Sequence, residues 1–255
     1  MKLSIAQWHG SCLDPAVMKK TSTILAISSG LFFGQAQAEI ESEFHVGYNS
    51  EYIYRGVDLG NDAYEYGLDF AGTCDCGLDW SAGIWSISPD GEDGNVDELD
   101  IYAAISKDFG CGTGSLGFTA YTYDGGAPDD AEVYIGYNTQ FFGLDFGLTT
   151  FFGLDGILDE QVLLEGTLGY SHEFGSNLVG NLGIAYGYMI DEGKGGYSRD
   201  DGGVYFSATA SLDYSVSDEI TFSPYVSYVD GDRGRLGRGA ADGAVIGGAS
   251  VSFSF

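Results

Sequence analysis

Apolar and polar residues alternate along most of this chain with a period of two. Because successive side chains of a β-strand point to opposite faces, this alternation predicts strands rather than helices. Helix signals are nearly absent. The alternation recurs in twelve segments, which contain residues 44–49, 64–70, 78–84, 99–105, 116–121, 132–137, 144–149, 162–170, 181–188, 204–214, 220–228 and 245–255. With its flanking residues, each segment is close to the length of about 9–11 residues that crosses a bilayer at a tilt.

The connectors between these segments also alternate. Those after even-numbered strands are short, and they fall at residues 73–76, 107–114, 141–143, 175–177 and 215–219. Those after odd-numbered strands are generally longer and more polar, as at residues 88–98, 191–203 and 229–243. Short turns at one end, long loops at the other and an even strand number are typical of outer-membrane barrels. The sequence therefore predicts an all-β, antiparallel, up-and-down transmembrane barrel.

A soluble β-sandwich would show the same alternation, but the aromatic residues favour the barrel. The apolar faces end in Phe44, Phe70 and Phe174 on the turn side. On the loop side they end in Tyr52, Tyr54, Tyr188 and Tyr228. Such girdles mark the two membrane interfaces of a barrel. The chain also ends on Phe255, like the terminal strand signal that the barrel-assembly machinery of Gram-negative bacteria reads.

The N-terminal region has the three parts of a secretory signal peptide. Met18-Lys19-Lys20 is basic, residues 21–33 are apolar, and Ala36-Gln37-Ala38 is a cleavage site of Ala-x-Ala type. We therefore expect cleavage after Ala38 and a true start at Met18. This divides the chain into a leader and signal peptide, residues 1–38, and one barrel domain, residues 39–255, in the bacterial outer membrane.

The chain is strongly acidic. It has 38 Asp and Glu against 10 Lys and Arg, a formal charge of −28 and a pI near 4.1. Removal of residues 1–38 takes away three lysines and one aspartate, which leaves seven bases against 37 acids. This balance excludes a nucleic-acid partner, because few bases remain to neutralise phosphates.

Most strand acids share the parity opposite to the apolar residues, which points them into the barrel. We predict that these acids line a pore. Because few cationic partners are present, this many carboxylates can stay ionised only where water reaches them. We therefore expect a hydrated lumen. The alternative is a plugged or tyrosine-filled lumen whose acids pair with arginines. The predicted inward acids are Glu65, Asp69, Asp79, Asp100, Glu132, Asp145, Glu165, Glu173 and Asp213.

Arg55 is the one arginine near a strand, and it shares inward parity with Glu51. It is either a counter-charge at the pore mouth, close to Glu65 or Asp69, or a bidentate clamp that orders the first loop. The other arginines lie in the predicted external loops, where they either contact lipopolysaccharide phosphates and acidic loops or are simply solvated. They are Arg199, Arg233, Arg235 and Arg238.

Three cysteines follow the signal peptide. Cys74 and Cys76 lie in the first short turn and Cys111 in the second, so a disulfide from either of the first two to Cys111 is predicted. No zinc-finger spacing surrounds them, and the acidic run 90–98 lacks the spacing of an EF-hand. No metal and no cofactor are expected.

The stretch Ser50–Gly56 reads SEYIYRG and resembles the S-[DE]-Y-x-[FY]-R-G opening of the TorF porin family. The likeness covers the surroundings of the first strand, residues 45–60. It implies an outer-membrane barrel that is termed a porin mainly by analogy.

These features predict a passive diffusion channel whose acidic lumen favours cations, with lipid, lipopolysaccharide and small solutes as partners. Two alternatives stay open. One is a non-conducting structural or surface-interaction barrel, since side chains can fill a small barrel. The other is a barrel hydrolase. His45 and His172 are its candidate catalytic histidines, but the sequence places no Ser and Asp with either of them in the arrangement of a catalytic triad. We therefore expect no enzyme activity.

Overall fold

The protein is a closed antiparallel β-barrel in a computed structural model that describes residues 40–90, 97–124, 129–194, 202–233 and 239–255. Each strand pairs with its sequence neighbours, and β12 pairs with β1 to close the ring. The predicted all-β, up-and-down barrel is confirmed. Its strands are β1 (Glu41–Tyr54), β2 (Val57–Thr73), β3 (Asp79–Asp90), β4 (Glu98–Asp108), β5 (Thr113–Tyr123), β6 (Asp130–Phe141), β7 (Leu144–Asp155), β8 (Val162–Glu173), β9 (Leu178–Asp191), β10 (Gly202–Ser215), β11 (Ile220–Gly231) and β12 (Ala244–Ser254). The predicted signal peptide lies outside the described residues.

The apolar parity of the strands faces outward. Ile101, Ile135 and Leu148 are each more than half exposed, whereas the adjacent inward residues Asp100 and Tyr134 are buried. The barrel thus has an apolar outside and a largely polar inside, as the alternation predicts. The described residues contain one helical turn, Gly156–Leu158, and no helix long and apolar enough to cross a membrane.

The two ends of the barrel differ in their connectors. At the turn end the strands are joined by residues 74–78, 109–112, 142–143, 174–177 and 216–219. At the loop end the connectors after β3, β5, β7, β9 and β11 are longer. The first hairpin is the exception, because only Arg55 and Gly56 separate β1 from β2. Both have positive φ, 49° and 81°, as a tight two-residue hairpin turn requires.

The end of this first hairpin, residues 50–60, leaves the wall of the barrel, and we call it the hairpin tip. Pairing of β1 with β12 ends at Asn49, and the register of β2 against β3 is interrupted between Asn61 and Tyr64. Asp62, inside that interruption, has a φ of 49°. The tip bends inward across the barrel mouth.

The inward bend corrects the prediction that Tyr52 and Tyr54 belong to an outer aromatic girdle. Tyr52 contacts Glu98 on β4, and Tyr54 contacts Tyr121 on β5, contacts that only the interior allows. β1 stops pairing with β12 at Asn49, so the alternation of the first half of β1 no longer assigns Tyr52 and Tyr54 to the outer face. Tyr188 and Tyr228 remain exposed on the outside, at 45% and 41%.

Candidate functional site

Glu132 and Arg55 form the central contact of the barrel interior. Both terminal guanidinium nitrogens of Arg55 donate to the Glu132 carboxylate, each over 2.8 Å. β6 lies five strands from β1 around the ring of twelve, so this pair crosses the lumen. The two side chains are only 7% and 3% exposed. The predicted clamp therefore exists, but its carboxylate belongs to the opposite wall.

The expected partners of Arg55 lie elsewhere. Glu65 pairs with Gly47, eight residues before Arg55 along the chain. At a rise of about 3.3 Å per residue, that places it roughly 26 Å down the strand. Asp69 lies deeper still, opposite Glu43, and Glu51 is half-buried opposite Asn61. The prediction that Arg55 lies close to Glu65 or Asp69 was wrong, because its side chain spans the mouth instead of running down the wall.

Aromatic rings hold the Arg55 guanidinium in place. Its carbon lies 4.8 Å from the centre of the Tyr54 ring and 4.1 Å from that of Phe151. Aromatic faces attract cations within about 6 Å of the ring centre, most strongly where water is excluded. The guanidinium is thus fixed by two ring faces and a bidentate carboxylate.

Tyrosine hydroxyls donate to several of the inward acids. Tyr121 donates to Glu132 over 2.7 Å, Tyr52 donates to Glu98 over 2.9 Å, and Tyr205 donates to Glu165. A phenol stabilises a carboxylate by hydrogen bonding but adds no positive charge. The negative charge therefore remains in the interior. We call the set Tyr52, Tyr54, Arg55, Glu98, Asp100, Tyr121 and Glu132 the loop-side tier.

Asp100 is the least satisfied acid of the loop-side tier. Asp100 is 8% exposed, and its Oδ1 has no hydrogen-bond partner among the described residues. It faces Tyr121 across the β4–β5 pair, two register positions along from the pair of Glu98 and Tyr123. An unpaired buried acceptor is costly, so this oxygen is a ready ligand for a cation or donor that enters the tier.

Side chains fill much of the interior beside the tier. Tyr134, Phe151, Leu163, Met189 and Tyr205 belong to one buried cluster that extends from β6 to β10. Small inward residues provide room for these rings. A Cβ on Gly117 would overlap the Tyr134 ring, and one on Gly187 would overlap the Tyr205 ring. The interior is thus packed at this level, as in the tyrosine-filled alternative.

The turn half of the interior is more polar and more open to solvent. Asp69 accepts from Tyr102 and lies 3.4 Å from Nδ1 of His45. Glu65 accepts from Asn49 over 3.1 Å. Asp213 accepts from Asn181 and from Ser223, each over 2.8 Å. We call Glu65, Asp69 and Asp213 with these partners the turn-side tier.

The remaining predicted acids lie at the turn-end rim. Asp79 accepts from Thr73 over 2.7 Å, and Asp145 accepts from Gln140 over 3.0 Å. Glu173 is exposed at the end of β8. The predicted list thus divides among three levels of one barrel, and only Asp100, Glu132 and Glu165 are buried in its loop half.

The cysteines differ from the prediction. Cys74 is bonded to Cys76 within the first turn, over a Cα–Cα distance of 5.1 Å, and Cys111 is exposed and unpaired. The tight turn brings its own two cysteines within the usual span of a disulfide, so neither is left for Cys111. Instead, the hydroxyl of Tyr137 donates to the Cys111 carbonyl over 3.1 Å.

This pairing gives a direct test on the intact protein. Under non-reducing conditions, Cys111 is expected to react with an iodoacetamide label while Cys74 and Cys76 do not. After reduction all three are expected to react. Peptide mass spectrometry measures the labelling, and a peptide that links Cys111 to residue 74 or 76 would contradict the structure.

The loops hold some of the predicted surface charges. Arg233 pairs with Asp242 over 3.1 Å in an exposed position. Lys194 pairs with Asp159 and Glu160, which ties the connector after β9 to the one after β7. A hydrogen bond to Glu160 raises the pKa of Lys194. Arg199, Arg235 and Arg238, and residues 91–96 of the acidic run, lie outside the described residues.

Sequence reasoning missed several members of the interior. Glu98 was assigned to an acidic loop, yet it is 4% exposed. The inward tyrosines Tyr102, Tyr121 and Tyr205 were available from the strand parity, but no local signal links each to its acid. His172 stacks between Tyr170 and Phe174 at the turn end. Within the part of the chain that the structure describes, no three His, Cys, Asp or Glu residues are grouped to hold a metal ion.

Comparison with known proteins supports the fold. Residues 34–152 match a family model described as a bacterial protein of unknown function (Gcw_chp). No curated protein matches the chain in sequence. Among solved structures, an outer membrane channel from Pseudomonas putida F1 is similar with a TM-score of 0.52 and 10% identity, over 86% of this chain and 97% of that one.

Two further solved barrels are similar. The translocator domain of the autotransporter NalP from Neisseria meningitidis gives a TM-score of 0.50 and 12% identity, over 86% of this chain and 90% of that one. The KdgM porin gives a TM-score of 0.48 and 12% identity, over 84% and 99% of the two chains. At these identities the likeness to the Pseudomonas channel and to the translocator domain is one of fold.

Proposed function

We propose that this protein is an outer-membrane porin, a passive diffusion channel whose acidic lumen favours cations. The observation that carries the proposal is the combination of an apolar outside with a barrel interior that holds many carboxylates and, among the described residues, one buried arginine. A ring of acids in a narrow passage attracts cations and repels anions. We infer a role as a conduit rather than as an enzyme, since its acids are spread over many strands.

Support for the outer-membrane location comes from several sequence features. The signal peptide, cleaved after Ala38, would deliver the chain to the periplasm. Phe255, which is 74% exposed, would be read by the barrel-assembly machinery. Lipopolysaccharide phosphates are proposed partners of the loop arginines Arg199, Arg235 and Arg238. The Ser50–Gly56 motif supports membership of the TorF porin family.

A second candidate function is a non-conducting barrel with a structural or surface-binding role. The packed cluster of Tyr134, Phe151, Leu163, Met189 and Tyr205 favours it, because side chains at that level narrow the passage. The acids of the turn-side tier lie outside this cluster and are only half-buried, which a purely structural barrel does not require.

Electrical recording separates the two candidates. The purified protein in a planar bilayer is expected to give single-channel currents, with a reversal potential in a KCl gradient that shows K⁺ passing more readily than Cl⁻. Added salt should weaken this preference by screening the carboxylates. Folded protein that never conducts would favour the structural barrel, and a preference for Cl⁻ would contradict the proposed lumen.

A further inference from the structure

We propose that the hairpin tip is the constriction of this channel, and that Arg55 is the residue that determines its size limit and its charge preference. This inference rests on the proposed function and assigns the selectivity of that channel to one segment. Of the described segments, the tip combines a departure from the wall with a charged contact across the lumen to the far side.

The geometry of the tip suits a constriction. Tyr52 contacts β4, Tyr54 contacts β5, and Arg55 contacts β6, so three consecutive strands beyond β3 hold it. On the near side, the backbone carbonyl of Gly56 accepts from Ala241 over 2.8 Å. The tip thus reaches across the mouth with both sides anchored, and solutes must pass beside it.

The charges around the tip predict the direction of selection. One guanidinium faces the carboxylates of Glu98, Asp100 and Glu132, so the loop-side tier carries an excess of negative charge. The unpartnered Oδ1 of Asp100 is the oxygen available to a passing cation. Removal of Arg55 should therefore widen the passage and strengthen the preference for cations, while neutralisation of Glu132 should weaken that preference.

Three variants test the assignment in planar bilayers. Arg55→Ala is expected to raise the single-channel conductance roughly threefold and to raise the K⁺ over Cl⁻ permeability ratio. Glu132→Gln is expected to lower that ratio by about twofold, because it removes one carboxylate and leaves the arginine charge. Arg55→Lys keeps the charge but loses the bidentate contact, so its ratio should stay near that of the unmodified protein while its conductance rises.

Arg233→Ala is the matched control. It removes an arginine whose ion pair with Asp242 is exposed at the same end of the barrel. Its conductance and permeability ratio are expected to equal those of the unmodified protein. Equal changes in conductance for Arg55→Ala and Arg233→Ala would overturn the constriction. A K⁺ over Cl⁻ permeability ratio that changes in the same direction for Arg55→Ala and Glu132→Gln would also overturn it.

A readout without current separates this inference from the proposed function. Trp85 packs on Tyr52 of the tip, with ring centres 5.9 Å apart. In a full chain carrying Trp8→Phe and Trp80→Phe, Trp85 is the remaining tryptophan. Arg55→Ala is expected to raise acrylamide quenching of its fluorescence about twofold, since collisional quenching follows solvent access to the ring. If neither the unmodified protein nor any variant conducts, the proposed function fails. If acrylamide quenching of Trp85 is also unchanged in Arg55→Ala, the assignment of Arg55 as the residue that holds the hairpin tip in place fails as well.

Discussion

Replacement of Glu132 with alanine is expected to lower the free energy of unfolding of the barrel by about 3–5 kcal/mol. The Arg55 side chain is 7% exposed and its guanidinium lies between the Tyr54 and Phe151 rings, where water replaces the lost carboxylate poorly. Tyr121 would also lose the acceptor of its hydroxyl. Removing one partner of a buried pair costs more than the pair contributes, because a charge is left without compensation.

Urea unfolding in lipid vesicles, followed by tryptophan fluorescence, measures this cost. The exposed pair of Arg233 and Asp242 provides the control, and Asp242→Ala should cost at most about 1 kcal/mol. The double variant Arg55→Met with Glu132→Leu should recover most of the loss, since an apolar pair of similar volume removes both charges. A Glu132→Ala cost no larger than that of Asp242→Ala would contradict burial of the pair.

The outer surface was predictable from sequence because parity is a local property. Within a strand such as β6, Ile135 and Tyr137 are known to share a face once one of them is assigned outward. Twelve such segments and their connectors were enough for the barrel, without any knowledge of which atoms touch. The even strand number also allowed β12 to close onto β1 as an antiparallel pair, which the structure shows.

The interior was less predictable because its contacts are distant in sequence. Arg55 and Glu132 are 77 residues apart, and no pattern near either residue indicates the other. The inward bend of the hairpin tip depends on where β1 stops pairing with β12, which alternation does not report. Parity extended through Ser50 therefore placed Tyr52 and Tyr54 on the wrong face.

The two tiers change the meaning of the acidic composition. The chain was expected to need water throughout its lumen, because few bases are present to balance the acids. In the loop half, phenol donors satisfy Glu98, Glu132 and Glu165 instead, so these acids can remain buried in a packed interior. Water is needed chiefly at the half-buried Asp69 and Asp213. The hydrated part of the proposed channel is therefore the turn half, and the selective part is the loop half.

A charge placed on the outer face should reveal whether lipid surrounds the barrel. Ile135 is 58% exposed, near the middle of β6, between Leu116 and Thr150 of the neighbouring strands. Ile135→Arg is expected to destabilise the barrel in lipid vesicles by about 2–4 kcal/mol, the cost of an arginine facing lipid near the bilayer midplane. Equilibrium folding into vesicles, measured by tryptophan fluorescence against urea, gives this value.

The matched control is Thr149→Arg, at a similar height on the inner face. Thr149 pairs with Gly136 on one side and with Glu165 on the other, so its arginine would have a carboxylate within reach. Its cost should be clearly smaller than that of Ile135→Arg, because an inward charge avoids lipid and finds a counter-charge. Equal costs for the two arginines would mean that lipid does not surround Ile135. The outer-membrane location would then fail even with the barrel fold intact, since the fold itself requires only that one face of each strand be apolar.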